Sequence, residues 1–297
     1  MANSLSILRR KIKNTEELRT VVKTMKATSA ATIIQFEQAV SALREYYRSV
    51  ELALSVCLRH APPSDNVELP HRPLSGHKIG VIAVGSNQGM VGQFNENLAQ
   101  SVVGFLAGKT YPLEIWGVGE RVQARLENEG IPVTNFYPAP QSIDAVAQLV
   151  STLLVELGDC YTSGGVTELV VFHNQPNTRS NYETVQKKIL PLDKNWRRTF
   201  SAVEWPGRAK PEILGTSVSS LDALIGEYLF VSLYQLFAES GAAENAARLA
   251  AMQRAEKNIE DRLGDLSMDY NRSRQGIIDE ELFDLISGFE TLSKRTE

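Results

Sequence analysis

The sequence predicts a mixed fold in which two long helices at the chain ends flank a small α/β domain with parallel strand pairing. Three observations carry this. All twelve prolines lie between Pro62 and Pro211, so nothing forces a helix to break in either terminal segment. Both terminal segments repeat apolar residues at steps of three and four. The middle alternates short β-branched runs with helical patterns, the signature of βαβ units. The boundaries expected from these shifts are 1–61, 76–211 and 212–297.

The first segment, residues 1–60, contains neither proline nor glycine. Leu18, Val22, Met25, Ser29, Thr32, Phe36, Ala39, Leu43, Tyr46, Val50, Ala53 and Cys57 follow an unbroken four-three alternation, and none is charged. Heptad spacing sustained this long predicts a coiled coil. The small Ser29, Thr32 and Ala39 suggest close approach of a partner helix. A stop is expected near Ala61-Pro62-Pro63, with a loop through Pro73.

The middle opens with a buried-strand run, Lys78-Ile-Gly-Val-Ile-Ala-Val84, then the turn Gly85-Ser-Asn-Gln-Gly-Met-Val-Gly92. Helical patterns follow over Phe94–Leu106, Glu120–Asn128 and Ser142–Leu157. Strands are expected at Leu113–Val118, around Val133–Phe136, at Thr167–His173, and at Tyr182–Leu190 beside the sheet. The last segment, from Glu212, places Leu249, Met252, Ile259, Leu263, Leu266, Tyr270 and Ile277 on one helical face. A second seam follows at Ile278, Leu282, Leu285, Phe289 and Leu292. One helix through the whole run would be about 120 Å long. The two terminal helices are expected to meet and bury their seams.

Composition narrows the function. A hydrophobic fraction of 43% and a net charge of −4 describe a folded protein, too weakly charged for a nucleic-acid binder as a whole. No apolar run is expected to cross a bilayer. Two cysteines, Cys57 and Cys160, without CxxC spacing, fit a reduced compartment. Charge is unevenly spread: residues 1–60 carry ten Lys/Arg against five Glu, a balance of +5. Residues 212–297 carry eight Lys/Arg against sixteen Asp/Glu, a balance of −8. Opposite signs favour pairing of the two arms.

The expected site chemistry is mostly negative. The Gly85–Gly92 turn lacks the Lys-Ser/Thr of a phosphate-binding loop, since Met90 and Val91 follow Gly89, and its glycine spacing is not that of a dinucleotide fingerprint. His60, His71, His77 and His173 show no ligand spacing, so no metal is expected. Neither cysteine has a neighbouring base, and no Gly-x-Ser-x-Gly elbow exists, so no catalytic residue and no cofactor are expected. The basic cluster Arg9, Arg10, Lys11, Lys13, Arg19, Lys23 and Lys26 could serve nucleic acid, lipid headgroups or an acidic protein, or simply be solvated. Its lack of an opposed aromatic face disfavours a membrane-surface helix.

Several blocks resemble the gamma subunit family of rotary ATP synthases. These are Lys23-Thr-Met-Lys-Ala-Thr-Ser-Ala30, the Gly85–Gly92 turn, Ala247-Arg-Leu-Ala-Ala-Met252, Tyr270-Asn-Arg-Ser-Arg-Gln275 and Glu280-Glu-Leu-Phe-Asp-Leu-Ile-Ser-Gly288. The resemblance implies an antiparallel coiled coil of both chain ends with a Rossmann-like domain at its base. It implies a central-stalk role: torque passes between a membrane c-ring and a hexamer of alpha and beta subunits, with epsilon at the foot. Catalysis and nucleotide would then belong to beta. Carried over by position, Met25 and Lys26 match a contact with an acidic loop of beta. Arg248, Arg274 and Gln275 match polar residues that hold the same subunit, and Asp279 stands beside them where the family usually has threonine. Asn87-Gln88 and Met90-Val91 also depart from the family's turn. Phe283, Leu285, Ile286 and Phe289 fit the expectation of an apolar end turning within a sleeve. A peripheral location on the cytoplasmic face of a bacterial inner (or thylakoid) membrane is implied, with no visible transit peptide. The competing readings are a nucleotide-utilising enzyme with dimerising arms, tested by ATP titration, and a coiled-coil adaptor binding DNA in a salt-dependent way.

Overall fold

A computed structural model describes residues 2–60, 78–109, 113–162, 166–178, 181–209, 211–213 and 217–293. Helix α1 runs Ala2–His60 and α6 runs Ser217–Ser293. Between them lie β1 (Ile79–Val84), α2 (Phe94–Leu106), β2 (Leu113–Val118), α3 (Glu120–Asn128), β3 (Asn135–Tyr137), α4 (Ile143–Thr162), β4 (Glu168–Asn177), β5 (Asn181–Leu190) and α5 (Lys194–Ser201). The predicted loop through Pro73, with His71 and His77, lies outside the described residues, as do the side chains of Phe289 and Leu292. The chain divides into two compact units, one of residues 1–28 with 249–297 and one of residues 29–248.

In the larger unit a five-stranded sheet has the order β3-β2-β1-β4-β5. Its strands pair in parallel except β5, which returns antiparallel beside β4. The continuous apolar runs of β1 and β2 make sense here because both faces of the sheet are covered. Leu98, Ala99 and Val102 of α2 and Val122 and Leu126 of α3 cover Val81, Ala83, Ile115 and Phe172 on one face. On the other, Val146, Val150 and Leu153 of α4, Leu233, Leu236 and Phe237 of α6, and Phe36 of α1 pack on Ile82, Val84, Trp116, Val118 and Val171. An ideal Cβ at Gly241 of α6 would sit 2.6 Å from Cε1 and Cζ of Phe36, so the ring lies directly on that glycine.

Several expectations need correction. The seam of α1 departs from its spacing at one position: Tyr46 is 46% exposed and bonds Glu227, while Tyr47 turns inward with its ring 6.1 Å from Tyr228, and Val50 and Cys57 beyond it are buried as expected. Leu18, like Tyr46, is exposed, at 58%. Helix α5 has no counterpart among the elements expected from sequence. Its N-cap is Asp193, whose side chain accepts from the Trp196 N–H at 2.8 Å. Trp196 and Phe200 stack with Tyr228, and Arg59 donates to the carbonyls of Ser201 and Val203. A cluster of Val50, Leu54, Cys57, Leu221 and Ile225 packs with Phe200. Finally, by length and composition α6 does hold a window apolar enough to cross a membrane, and 44% of that window is buried within the fold.

In the smaller unit α1 and α6 run antiparallel. Arg19 meets Glu260 and Lys26 meets Glu256, so paired residue numbers sum to 279 and 282. Met252 and Leu266 are buried, and Leu249, Ile259, Leu263, Tyr270 and Ile277 are half-buried, the stripe the four-three spacing predicts. The expected second seam is unburied: Ile278, Leu282 and Leu285 are exposed along with Phe283 and Ile286. By the same register, Leu5 lies level with about residue 275.

Candidate functional site

In the smaller unit, the Lys26 Nζ lies 2.6 Å from Glu256 Oε2, with 38% and 16% of the two side chains exposed. Arg19 Nη2 lies 2.7 Å from Glu260 Oε1. The hydrogen bond from Lys26, helped by the fields of Lys26, Lys23 and Arg19, holds the Glu256 carboxyl below its ordinary range against the opposing effect of burial. Met25 is half-buried on the seam. Lys26, read from sequence as a partner contact, is thus already engaged within the chain. Arg274, Gln275 and Asp279 are exposed on neighbouring turns of α6, and among the described residues none makes a hydrogen bond or ion pair. Asp279 follows Gln275 by one turn, so its charge sits on the same exposed stretch.

Arg248 belongs to the larger unit and is not free. Its Nη2 donates to Glu244 Oε1 at 2.6 Å one turn earlier, both side chains about nine-tenths buried. Its Nε is buried without a partner. Burial pushes the Glu244 carboxyl above its ordinary range, and Arg248 only partly offsets that. An ion pair so withdrawn from water is costly to break from one side.

The sheet also explains the glycine-rich turn. Strand order reverses at β1, which puts the open end of a doubly wound sheet between the carboxyl ends of β1 and β4. That position is filled by the chain itself. Ser240 Oγ of α6 reaches the Val84 carbonyl at 3.4 Å, and Asn174 donates to the Phe94 carbonyl at 3.1 Å. Val91 and Phe94 pack on Ala243 and Ala247. The turn is held by side chains: Asn95 Oδ1 accepts from the Ser86 N–H, and Asn87 both donates to the Ala139 carbonyl and accepts from its N–H at 2.9 and 2.8 Å. Gly119, at φ +106°, lets the Ser86 backbone pass at a distance a Cβ would fill, 2.8 Å. Asn87, a departure from the family's aspartate, supplies both a donor and an acceptor here; a carboxylate would supply only acceptors.

Two features are absent from the expectations drawn from sequence. His173 is fully buried on β4 with Nε2 3.2 Å from Glu239 Oε2 of α6, while its Nδ1 has no partner. Burial pushes Glu239 up, but hydrogen bonds from His173 and Gln235 with the field of Lys187 bring its carboxyl below the ordinary range. The one signal in the sequence is a lone histidine inside an apolar strand. Cys160 does have a charged neighbour, Glu114, at 3.7 Å. Burial and that carboxylate push its thiol up, and burial alone does so for Cys57, so neither is primed as a nucleophile. Among the described residues no cluster of three His, Cys, Asp or Glu could hold a metal.

Comparison with known proteins gives this arrangement a context. A family model described as ATP synthase matches residues 4–292. The chain belongs to the ATP synthase family. Its curated relatives include the ATP synthase gamma chain of Anaeromyxobacter dehalogenans, 26% identical over 294 residues covering 97% of this chain and 99% of the relative. The gamma chain of Symbiobacterium thermophilum is 25% identical, covering 98% and 99%. Among solved structures, a chain of the Euglena gracilis mitochondrial ATP synthase (OSCP/F1/c-ring) has a TM-score of 0.67 at 17% identity, over 100% of this chain and 97% of that one. A chain from the rotor of the same enzyme gives 0.60 at 18%, covering 94% and 100%. At this identity the likeness is one of fold, and it spans both terminal helices and the sheet. As a member of the ATP synthase family, the chain is part of a membrane-associated complex.

Proposed function

We propose that this chain is the central-stalk subunit of an ATP synthase, transmitting torque between a membrane c-ring and a catalytic hexamer of alpha and beta subunits. It works without catalysing a step itself. The observation that supports this best is the end of α6. There, Ile278, Leu282, Phe283, Leu285 and Ile286 stand exposed past Ile277, the last half-buried residue of the seam. Five large apolar side chains on three turns are an unusual cost for a solvated helix and suit a surface enclosed by partner subunits. Ion flow would turn the ring and this chain together, and the asymmetry of the chain would set the catalytic subunits in different states.

The parts of the terminal segments 1–61 and 212–297 that pair with each other alone, residues 1–28 and 249–297, are then the parts inserted in the hexamer. Segment 76–211, with the epsilon subunit, faces the ring on the cytoplasmic side of a bacterial membrane. Arg274, Gln275 and Asp279 would be polar contacts to beta, and Met25 and Lys26 would lie at its acidic loop. Arg248, carried over with them, would have to leave Glu244 to reach the same subunit. The nucleotide-enzyme reading loses support because α6 occupies the crevice where a nucleotide would lie. Co-expression with the alpha and beta subunits of its own source tests the proposal. An ATP-hydrolysing assembly containing this chain is expected; assemblies that form and turn over only without it refute the role.

A further inference from the structure

Helix α5 carries a charge pattern that nothing else in the larger unit answers. Its inward face is Trp196 and Phe200, which pack with Tyr228 and with Val50, Leu54 and Leu221. Helical periodicity puts Lys194 and Arg198 on the opposite face, with the half-buried Arg197 beside them. Lys194 and Arg198 are exposed one turn apart, a like-charge spacing that weakens a helix. Lys194 is also the first residue of α5, where the helix dipole disfavours a cation. Among the described residues, none of these three side chains makes a hydrogen bond or ion pair. The adjacent carboxylate, Asp193, is committed to capping the Trp196 N–H.

The cations continue past the helix. Arg59 of α1 reaches the end of α5, its Nε 2.9 Å from the Ser201 carbonyl, and Arg208 is exposed. Between residues 194 and 208, Lys194, Arg197, Arg198 and Arg208 stand against Glu204 alone, a balance of +3. The same stretch holds Trp205, 39% exposed, whereas Trp116 is fully buried and Trp196 half-buried. Its ring is set in a closed turn: Arg59 also donates to the Val203 carbonyl, and a Cβ added to Gly207 would lie 3.0 Å from the Trp205 Nε1. All of this lies at the end of the larger unit where α1 finishes, α6 begins, and β1 and β4 start. We propose that this basic, tryptophan-bearing face of α5 and residues 202–208 adsorbs to the anionic phospholipid headgroups of a membrane. Clustered Lys and Arg are drawn to anionic headgroups, and an indole with one apolar and one polar side settles at that boundary. This contact goes beyond the stalk reading, which leaves the outer face of α5 unassigned. It is argued from the charge and exposure of that face, in a chain whose family forms a membrane-associated complex.

Flotation of the full chain with vesicles tests the contact. Binding is expected to phosphatidylcholine vesicles that also contain phosphatidylglycerol, fading in high salt, and not to phosphatidylcholine alone. K194Q/R198Q is expected to weaken that binding about 25-fold, since each basic residue near an anionic surface contributes about fivefold. Its melting temperature should be no lower than that of the parent chain, because the two charges repel each other and hold nothing. Tryptophan emission is expected to shift to the blue on the mixed vesicles, and W205F to abolish the shift. R9Q/R10Q, in the basic cluster of α1, should leave the shift intact. No binding, equal binding to both kinds of vesicle, loss of the shift in R9Q/R10Q, or a lower melting temperature of K194Q/R198Q overturns the assignment. So does a chain that ignores vesicles but binds a purified c-ring in neutral detergent through the same two residues, which makes the partner a protein. The stalk reading stands or falls separately, on co-assembly with alpha and beta subunits.

Discussion

Replacing Gly241 with alanine gives a sharp test of the packing between α1 and the sheet-covering part of α6. Glycine in a helix interior is disfavoured against alanine by about 1 kcal/mol, so G241A would stabilise a solvated helix. Here the new methyl would lie 2.6 Å from two carbons of the Phe36 ring and 3.0 Å from a third. Phe36 is 2% exposed and locked in the main core cluster, so it has nowhere to retreat. Overpacking of this kind costs about 1–3 kcal/mol. With contact at three ring atoms the upper end applies, and after the helix gain the net loss is about 2 kcal/mol. For a chain of this size that lowers the melting temperature by about 4–8 °C. Gly264, on the same helix with nothing within 4 Å, is the internal control, and G264A is expected to raise stability by about 1 kcal/mol. Thermal unfolding of the full chain followed by circular dichroism measures both. Adding F36L to G241A should recover part of the loss, since the smaller side chain makes room. If G241A and G264A shift the transition equally and upward, Phe36 does not rest on Gly241 and the account of this interface is wrong.

Other outcomes are as specific. R248M removes the partner of a buried carboxylate and should cost about 3–5 kcal/mol, whereas replacing both Arg248 and Glu244 by apolar residues should cost far less; a double-mutant cycle reads the coupling. Glu239 titrates below its ordinary 4.5 in the folded chain, so its contribution is full above that value and disappears as pH falls through the lower folded value. E239Q should therefore flatten the acid limb of a stability–pH curve, and an unchanged limb would remove Glu239 from the account. N87A deletes two hydrogen bonds to Ala139 and should cost about 1–3 kcal/mol in denaturant titration. Changing Leu282, Phe283 and Ile286 together to serine should leave the melting temperature within about 1 °C while weakening co-assembly with alpha and beta subunits, because these side chains touch little within the chain.

How far the sequence could be read depended on whether the governing contact was local. The seams from Val22 to Phe36 and from Leu249 to Ile277 follow from spacing alone, because each helix buries one face and period decides which. The exchange of Tyr46 for Tyr47 does not: it is decided by Tyr228, far along the chain, and two adjacent tyrosines look the same to a periodicity. The strands from Ile79 and Leu113 were legible as β-branched runs covered on both faces. Helix α5 was not, although its signals stand in the sequence, an Asp193 cap with Trp196 and Phe200 one turn apart. Eight residues between prolines carry too little periodicity to be read without knowing that Tyr228 and Arg59 complete them. The site residues divide in the same way. Met25, Lys26, Arg274 and Gln275 came from likeness in short blocks. That Lys26 is tied to Glu256, and Arg248 to Glu244, required the helix register and burial, which one sequence does not disclose.

The Ser240 hydroxyl at the Val84 carbonyl has a practical consequence. Doubly wound sheets usually leave that cleft for a guest, and here a tenant from the same polypeptide has moved in permanently. Excising the middle segment as a stand-alone domain would therefore uncover Phe94, Val91 and the sheet face beneath Phe237, and the fragment would be sticky and poorly soluble. The domain is self-contained in its strands but borrows its lid from the chain's other end.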